Sequence, residues 1–360
     1  MPRIAVIGHT GRGNYGHGVD TCWLKNSACE IVGVADPDEK GRAAAAKRLK
    51  TDQAFGDYRE LLDKTKPDIV AVCPRFIDRH GEYILAAAER GLHVFTEKPF
   101  CRTPAEADQI IAAFEKKKLK LAIAHQTRYS PIVREIRELI EDGRIGDVLE
   151  LRGRGKEDHR GGPEDLWVLG SHVFNLMHHL GGEPTWCSAA IRQGDAAATK
   201  ADIRPGNEGV DRFLGDDLVA TFGLAGRGTG FFGSRKGAAG GRFGLQIFGS
   251  KGVIDVEFGY LPNAFLLEDP NWSPGRSGKE WQRITSAGVG KPEPLAEGGL
   301  DAGNDAIVTD LLEAIAEDRE PECDMYEART TIEMISAVFA SHLAGKAVKI
   351  PLENRGDPLA

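Results

Sequence analysis

Residues 3–124 alternate short β-branched runs with helical patterns, and this alternation constrains the fold more than any other feature of the sequence. Strands are predicted at Arg3–Ile7, Glu30–Ala35, Asp68–Cys73, His93–Thr96 and Lys120–Ala124, with helices between them. Strands that alternate with helices form parallel β-α-β units, so we expect a doubly wound α/β domain at the N-terminus. The first β-α turn of such a sheet is where phosphate-bearing ligands bind.

The pattern changes after Pro131. Leu218, Ala220, Phe222 and Leu224 alternate with their neighbours, and the segment 249–252 joins two further alternating runs. Hairpin patterning of this kind predicts an antiparallel sheet with one apolar face. Two amphipathic helices then close the chain, so the second domain is expected to be α+β.

Composition and charge exclude several classes of protein. The chain has 360 residues and a formal net charge of −8, which argues against a general nucleic-acid binder. No stretch approaches the roughly 20 apolar residues of a membrane helix, and the N-terminus lacks a signal-peptide pattern. Six scattered cysteines form neither a disulfide framework nor a zinc pattern. We expect a cytoplasmic protein with no nucleic-acid, membrane or metal partner.

A glycine-rich loop follows the first strand. Gly11, Gly13 and Gly16 form G-x-G-x-x-G, in which missing side chains let the backbone approach a pyrophosphate. A helix is predicted directly after the loop, and its N-terminus would supply free N–H groups and a positive dipole. The fingerprint normally starts at the strand end, here Gly8, so Gly8 and Thr10 are further candidates for phosphate contacts.

Asp36 stands at the end of the second strand. A carboxylate there binds a ribose diol and repels a 2′-phosphate. Pro37 follows it, where a basic residue would have favoured the phosphate. We therefore predict NAD as the cofactor, with NADP less favoured.

Glu97-Lys98-Pro99, at the end of a predicted strand, resembles the motif of the Gfo/Idh/MocA family, the relatives of glucose-fructose oxidoreductase and inositol dehydrogenase. The segments 125–131, 249–252 and 348–351 are also similar to family features. The resemblance implies a Rossmann domain, a large open antiparallel sheet that binds substrate and pairs subunits, and a nicotinamide cofactor. It also implies a homodimer or homotetramer.

The resemblance places Lys98 in the active site, often with a cis bond to Pro99. A physical argument agrees, because a lysine at the carboxyl end of a parallel strand lies in the ligand crevice. Partial desolvation there would lower its pKa, which suits proton transfer to or from a hydroxyl group.

A histidine-bearing helix is predicted from near Asp165. One stripe of it carries Asp165, Val168, His172, Asn175 and His179. The family's motif has an aspartate, a histidine four residues later and a second aspartate three beyond. His172 matches the histidine, whereas Val168 and Asn175 replace the aspartates. Either Asp165 or His159 supplies the missing carboxylate's role from nearby, or the protein carries out altered chemistry.

These observations divide the chain into an NAD-binding domain over 1–125, a substrate-binding and oligomerisation domain over 126–345, and a tail over 346–360. The predicted catalytic residues are Lys98 and His172. The predicted cofactor-binding residues are Gly8, Thr10, Gly11, Gly13, Asn14, Tyr15, Asp36, Pro74, Glu97, Lys98 and Arg128. The candidate substrate contacts are His159, Asp165 and Asn175, with Lys156, Arg160, Arg235 and Lys236 as further candidates.

The sequence favours an NAD(P)-dependent oxidoreductase that transfers a hydride between the cofactor and a secondary hydroxyl of a sugar, sugar derivative or polyol. Two alternatives stay open. One is a redox-neutral enzyme that oxidises a sugar transiently, eliminates a group and reduces the product again. The other is a non-catalytic sensor of nucleotide or sugar on the same fold.

Overall fold

A computed structural model of the chain describes residues 1–226, 228–238, 243–271 and 274–360. The chain forms two compact units. The first comprises residues 1–126, 208–210 and 300–329, and the second comprises 127–207, 211–299 and 330–360. Residues 300–329 thus group with the first unit, whereas the sequence prediction placed them in the second domain.

The first unit is built on a parallel sheet, as predicted. Its strands are β1 (Arg3–Ile7), β2 (Glu30–Ala35), β3 (Ala54–Phe55), β4 (Ile69–Val72), β5 (His93–Thr96) and β6 (Leu121–Ile123). The helices between them are α1 (Glu39–Leu49), α2 (Tyr58–Thr65), α3 (His80–Glu89) and α4 (Pro104–Lys117). The six strands lie in the order β3-β2-β1-β4-β5-β6. Every residue of β4 is buried, as expected for a sheet covered on both faces.

Local capping signals begin the helices where the sequence indicates. The Asp38 side chain accepts a hydrogen bond from the Gly41 N–H and begins α1. Thr103 accepts from the Glu106 N–H at 3.1 Å, with Pro104 as the first helical residue of α4. These caps satisfy N–H groups that have no partner within the helix.

The second unit carries a larger sheet. Its strands are β7 (Val148–Arg154), β8 (Pro184–Gln193), β9 (Ala196–Ala197), β10 (Asp217–Leu224), β11 (Thr229–Arg235), β12 (Gly244–Gly249), β13 (Val253–Glu257), β14 (Ala264–Leu267), β15 (Gln282–Thr285), β16 (Gly288–Val289) and β17 (Val348–Lys349). The remaining helices of the chain are α5 (Pro131–Glu141), α6 (Ser171–Gly181), α7 (Pro274–Ser277), α8 (Leu300–Glu317) and α9 (Met325–Ala344).

These eleven strands form one mixed, mostly antiparallel sheet, which confirms the predicted fold class of the C-terminal region. The order is β16-β15-β14-β13-β12-β7-β11-β10-β8-β17, with β9 paired to β8, and only β7 and β11 run parallel among the described pairs. Helix α6 packs against β7 so closely that a Cβ on Gly153 would collide with Val173. The opposite face leaves apolar side chains exposed, among them Val219 at 59%, Phe231 at 37% and Trp186 at 37%.

Two helix predictions need correction. After the glycine loop the structure has only a short 3-10 helix, Cys22–Leu24, because Gly13, Gly16 and Gly18 all adopt positive φ and interrupt helical geometry. The predicted helix from Asp165 is also not uniform. A π-helical turn, Leu166–Gly170, precedes α6.

The predicted tail at 346–360 belongs to the second unit. Strand β17 pairs with β8, and the Leu352 N–H donates to the Glu333 carboxylate at 2.5 Å. Among the described helices, none combines the length and the apolar character that crossing a membrane requires.

Candidate functional site

The glycines after β1 serve different purposes. A Cβ on Gly8 would collide with the Tyr15 ring, and one on Gly13 would lie closer than 3.0 Å to the backbone nitrogens of Arg75 and Phe76. Gly11, with φ of 83°, is the exception, since its Cβ would meet no described atom within 4 Å. The structure thus explains two of these glycines by packing within the first unit, and only Gly11 faces open space.

Most N–H groups of this loop are already used. His9 and Asn14 exchange two backbone hydrogen bonds at 3.0 Å, and the Gly11 N–H donates to the Asn14 side chain at 3.0 Å. Within the described residues, the backbone N–H groups of Gly13 and Tyr15 have no partner. The Tyr15 hydroxyl is buried, and burial together with the neighbouring Asp36 carboxylate raises its pKa. The two backbone N–H groups are therefore the donors that this loop offers to an anionic ligand.

Asp36 is fully buried at the end of β2. Its carboxylate accepts from the Thr10 N–H at 3.0 Å, the Thr10 hydroxyl at 2.7 Å and the Asp38 N–H at 2.9 Å. These bonds tie both oxygens to the loop and to the start of α1. Asp36 therefore anchors the glycine loop in this arrangement, and because its side chain is fully buried, the predicted bond to a ribose diol requires the residues that cover it to move.

Lys98 lies at the end of β5 and is 6% exposed, with a cis peptide bond to Pro99 as the family resemblance implied. Glu97 is fully buried beside it and accepts from the Lys98 N–H at 3.0 Å. It also accepts from the His17 N–H at 2.9 Å and lies 2.6 Å from His17 Nδ1. Burial works against ionisation, but the His17 hydrogen bond and the nearby charges hold the pKa of Glu97 below its ordinary value.

His17 was missed by sequence reasoning. Its backbone carbonyl accepts from Asn304 Nδ2 at 2.8 Å, and Asn304 Oδ1 accepts from Gln126 Nε2 at 2.9 Å. The glycine loop is thus tied to both Glu97 and α8. No local pattern signals this network, because its members are scattered along the chain.

Pro74 and Arg128 lie in different units. Pro74 follows β4, and its carbonyl oxygen is 2.6 Å from His80 Nε2. Arg128 is buried in the short helix Gln126–Tyr129. Burial, followed by the charge of Arg128, lowers the pKa of His179 to about 2, so His179 is neutral.

His172 lies near the start of α6, in the second unit. Its ring centroid is 6.4 Å from that of Phe258, which stacks on Phe243 at 4.4 Å. All three rings are partly exposed. Sequence reasoning missed this aromatic pair, which adds an apolar surface beside the predicted catalytic histidine.

Asp165 has a different environment from the one predicted. Its carboxylate accepts from the Ser234 hydroxyl at 2.8 Å, and a Cβ on Gly155 would collide with it. Burial raises the pKa of Asp165 to about 6, although the Ser234 bond opposes this shift. A π turn rotates the chain less per residue than an α-helix, so Asp165 and His172 no longer share one regular helical stripe.

The remaining substrate candidates lie in different environments. His159 is 76% exposed and lies 3.8 Å from Asp158, and Asn175 Nδ2 is 3.4 Å from the Thr331 hydroxyl. Lys156 and Arg160 both face Asp158, Arg235 faces Asp217, and Lys236 is exposed.

The first unit, taken by itself, fits the pyrophosphate part of a dinucleotide. Gly11 leaves open space beside the loop, and the N–H groups of Gly13 and Tyr15 can donate to phosphate oxygens. No α-helix begins at this loop, so the anion would depend on loop N–H groups rather than on a helix dipole. The class of protein defined here is a nucleotide-binding Rossmann domain joined to a unit with an open, mostly antiparallel sheet.

Comparisons with known proteins specify the family. The model described as "Oxidoreductase family, NAD-binding Rossmann fold" matches residues 2–125, and that of the GFO/IDH/MocA C-terminal domain matches residues 133–255. The chain therefore belongs to the Gfo/Idh/MocA family.

The relatives include levoglucosan dehydrogenase of Pseudarthrobacter phenanthrenivorans, 26% identical over 52% of this chain and 54% of the relative. Myo-inositol 2-dehydrogenase of Thermotoga maritima is 25% identical over 70% of this chain and 74% of the relative. The chain thus spans about half the length of the first of these relatives. A solved structure of levoglucosan dehydrogenase with NADH and levoglucosan has a TM-score of 0.77 and 20% identity, covering 97% of this chain and 99% of that one. It shows the shared fold.

Proposed function

We propose that this protein is an NAD(P)-dependent oxidoreductase that transfers a hydride between the nicotinamide ring and a secondary hydroxyl or ketone of a sugar, sugar derivative or polyol. The observation that carries the proposal is Lys98, buried at the carboxyl end of β5 in a Rossmann domain of this family. The relatives named above act on levoglucosan and myo-inositol, which are a sugar derivative and a polyol.

The roles of the chain's own residues follow from their chemistry. A bound nicotinamide cofactor would supply the hydride chemistry. The backbone N–H groups of Gly13 and Tyr15 would donate hydrogen bonds to its pyrophosphate, while Asp36 and Thr10 hold the loop that carries them. Lys98 takes or returns the hydroxyl proton, and His172 assists. The Phe243–Phe258 pair offers an apolar face against which the C–H face of a sugar ring can pack.

NAD is the proposed cofactor in preference to NADP. Support comes from the negative charge of Asp36, which would repel a 2′-phosphate even though its oxygens are bonded to Thr10 and Asp38. This part of the proposal rests on charge and does not require a direct bond to the ribose.

A redox-neutral elimination is the second candidate. It is favoured by Val168 and Asn175, which stand where the family has carboxylates, and by Asp165, which is bonded to Ser234. Cofactor turnover separates the two reactions. A net oxidation produces one reduced nicotinamide per sugar consumed, whereas the redox-neutral route produces none.

A homodimer or homotetramer in the cytoplasm is also proposed. The exposed apolar face of the large sheet, with Val219, Phe231 and Trp186, supports pairing of subunits. All six cysteines are free thiols, which is consistent with a reducing compartment.

The test is a screen of sugars and polyols with NAD and NADP, read at the nicotinamide absorbance. With an active substrate, Lys98→Met should lower kcat by about 10²–10⁴ and leave NAD affinity nearly intact. Lys120→Met is the matched control. Lys120 immediately precedes β6 and is also buried, but its ammonium group pairs with Asp318 and Glu320. Full activity of the Lys98 variant would refute the mechanism.

A further inference from the structure

His80 makes an unusual pair of contacts in the first unit. It is the first residue of α3 and is fully buried. Its Nδ1 atom lies 2.7 Å from the Pro99 carbonyl oxygen, and its Nε2 atom lies 2.6 Å from the Pro74 carbonyl oxygen. Both partners are carbonyl oxygens, which can only accept hydrogen bonds.

A neutral imidazole has one N–H donor and one bare nitrogen, so it can satisfy only one of these carbonyls. The other contact would then place a nitrogen lone pair against an oxygen lone pair in a buried site. When both ring nitrogens carry protons, both contacts become charge-assisted hydrogen bonds, which are short and strong. The two distances fit this second arrangement.

We propose that His80 carries both ring protons and positions the Lys98–Pro99 turn by tying the Pro99 carbonyl to the Pro74 carbonyl beyond β4. A cation at the start of a helix is disfavoured by the helix dipole, so both hydrogen bonds are needed to offset that cost.

The consequence concerns Lys98, and it rests on the proposed function. Pro99 follows Lys98 directly, so the bond that fixes the Pro99 carbonyl also limits the positions open to the Lys98 backbone. His80 is therefore a positioning residue, which does not need to touch substrate. Loss of the hydrogen bond from His80 to the Pro99 carbonyl should therefore lower the rate of the chemical step more than it weakens cofactor binding.

The protonation is tested by ¹⁵N NMR of the full chain labelled at the histidine rings. His80 should give two slowly exchanging ring N–H signals, assigned by their loss in His80→Gln. His342 is an internal reference, because its Nδ1 accepts from the Ile191 N–H at 3.1 Å and its Nε2 lies 2.8 Å from the Ala198 carbonyl oxygen. It should show one N–H and one bare nitrogen. If no histidine ring in the wild-type spectrum shows two slowly exchanging N–H protons, the proposal is overturned. This outcome can be recognised in the wild-type protein alone, even if His80→Gln does not fold.

The positioning role is tested by kinetics. His80→Gln should lower kcat by about 10–100-fold with the NAD dissociation constant changed by less than about twofold. The control is His93→Gln, which can keep the acceptor that His93 Nδ1 offers to the Lys120 N–H at 2.9 Å. Equal kcat in both variants would refute the positioning role. Failure of the proposed function would appear instead as full activity of Lys98→Met, and it would leave the NMR result unchanged.

Discussion

Gly11 and Gly13 allow steric packing to be separated from backbone strain. Their φ angles are 83° and 84°, so alanine suffers the same left-handed strain at either position, about 1–2 kcal/mol. At Gly11 the new methyl group meets no described atom within 4 Å. At Gly13 it lies closer than 3.0 Å to the backbone nitrogens of Arg75 and Phe76, which cannot rotate away as a side chain would.

The expected magnitudes follow from this difference. Gly11→Ala should lower the free energy of unfolding of the first unit by about 1–2 kcal/mol. Gly13→Ala adds overpacking, about 1–3 kcal/mol. It also strains the hydrogen bond from the Arg75 N–H to the Gly13 carbonyl, now 3.2 Å. The difference between the two variants isolates the steric cost.

Hydrogen exchange across a urea series, followed by mass spectrometry on peptides from β1 and β4, measures the stability of the first unit alone. Calorimetric titration with NAD accompanies it. Gly11→Ala should weaken NAD binding at least tenfold despite its small effect on stability, since its methyl group enters the space proposed for the pyrophosphate. Equal losses of stability in the two variants would refute the packing argument.

Three further predictions concern other parts of the molecule. Burial raises the pKa of Asp165 to about 6, so the folded state holds a proton that the unfolded chain releases near pH 4, and stability falls as pH rises through this window. Chemical denaturation at several pH values should show the free energy of unfolding of Asp165→Asn rising by about 3 kcal/mol relative to that of wild type as the pH increases from 4 to 7. A difference between the two proteins that stays constant with pH would contradict this prediction. Wild type should bind NAD at least tenfold more tightly than NADP, and Asp36→Asn should reduce this ratio of dissociation constants in calorimetric titrations. If the substitution leaves the ratio unchanged, Asp36 is not the cause of the preference. Phe231→Glu should reduce the molar mass measured by light scattering, and a wild-type mass of one chain would refute the proposed assembly.

Local signals explain why so much of the fold was predictable. Caps such as Asp38 and Thr103 bond to N–H groups three residues away, and period-two alternation marks which face of β10 is buried. These relations lie within one element, so they can be read before the chain is folded. The choice of Lys98 as a candidate catalytic residue was possible for the same reason, because the tripeptide Glu97-Lys98-Pro99 is contiguous in the sequence.

The sequence by itself therefore determined the strand–helix alternation of the first unit, the parallel and antiparallel sheets, the family and the candidate residues. Only the tertiary structure decided what those residues contact. Thr10 meets Asp36 across 26 residues and Ser234 meets Asp165 across 69, so neither partner could be chosen from local pattern. A buried carboxylate requires hydrogen-bond donors, and the donors that reach it are selected by the packing of distant segments. For this reason the sequence identified Asp36 and Asp165 as candidates for ligand contact, while folding placed donors of the protein itself against their oxygens, from the glycine loop for Asp36 and from β11 for Asp165.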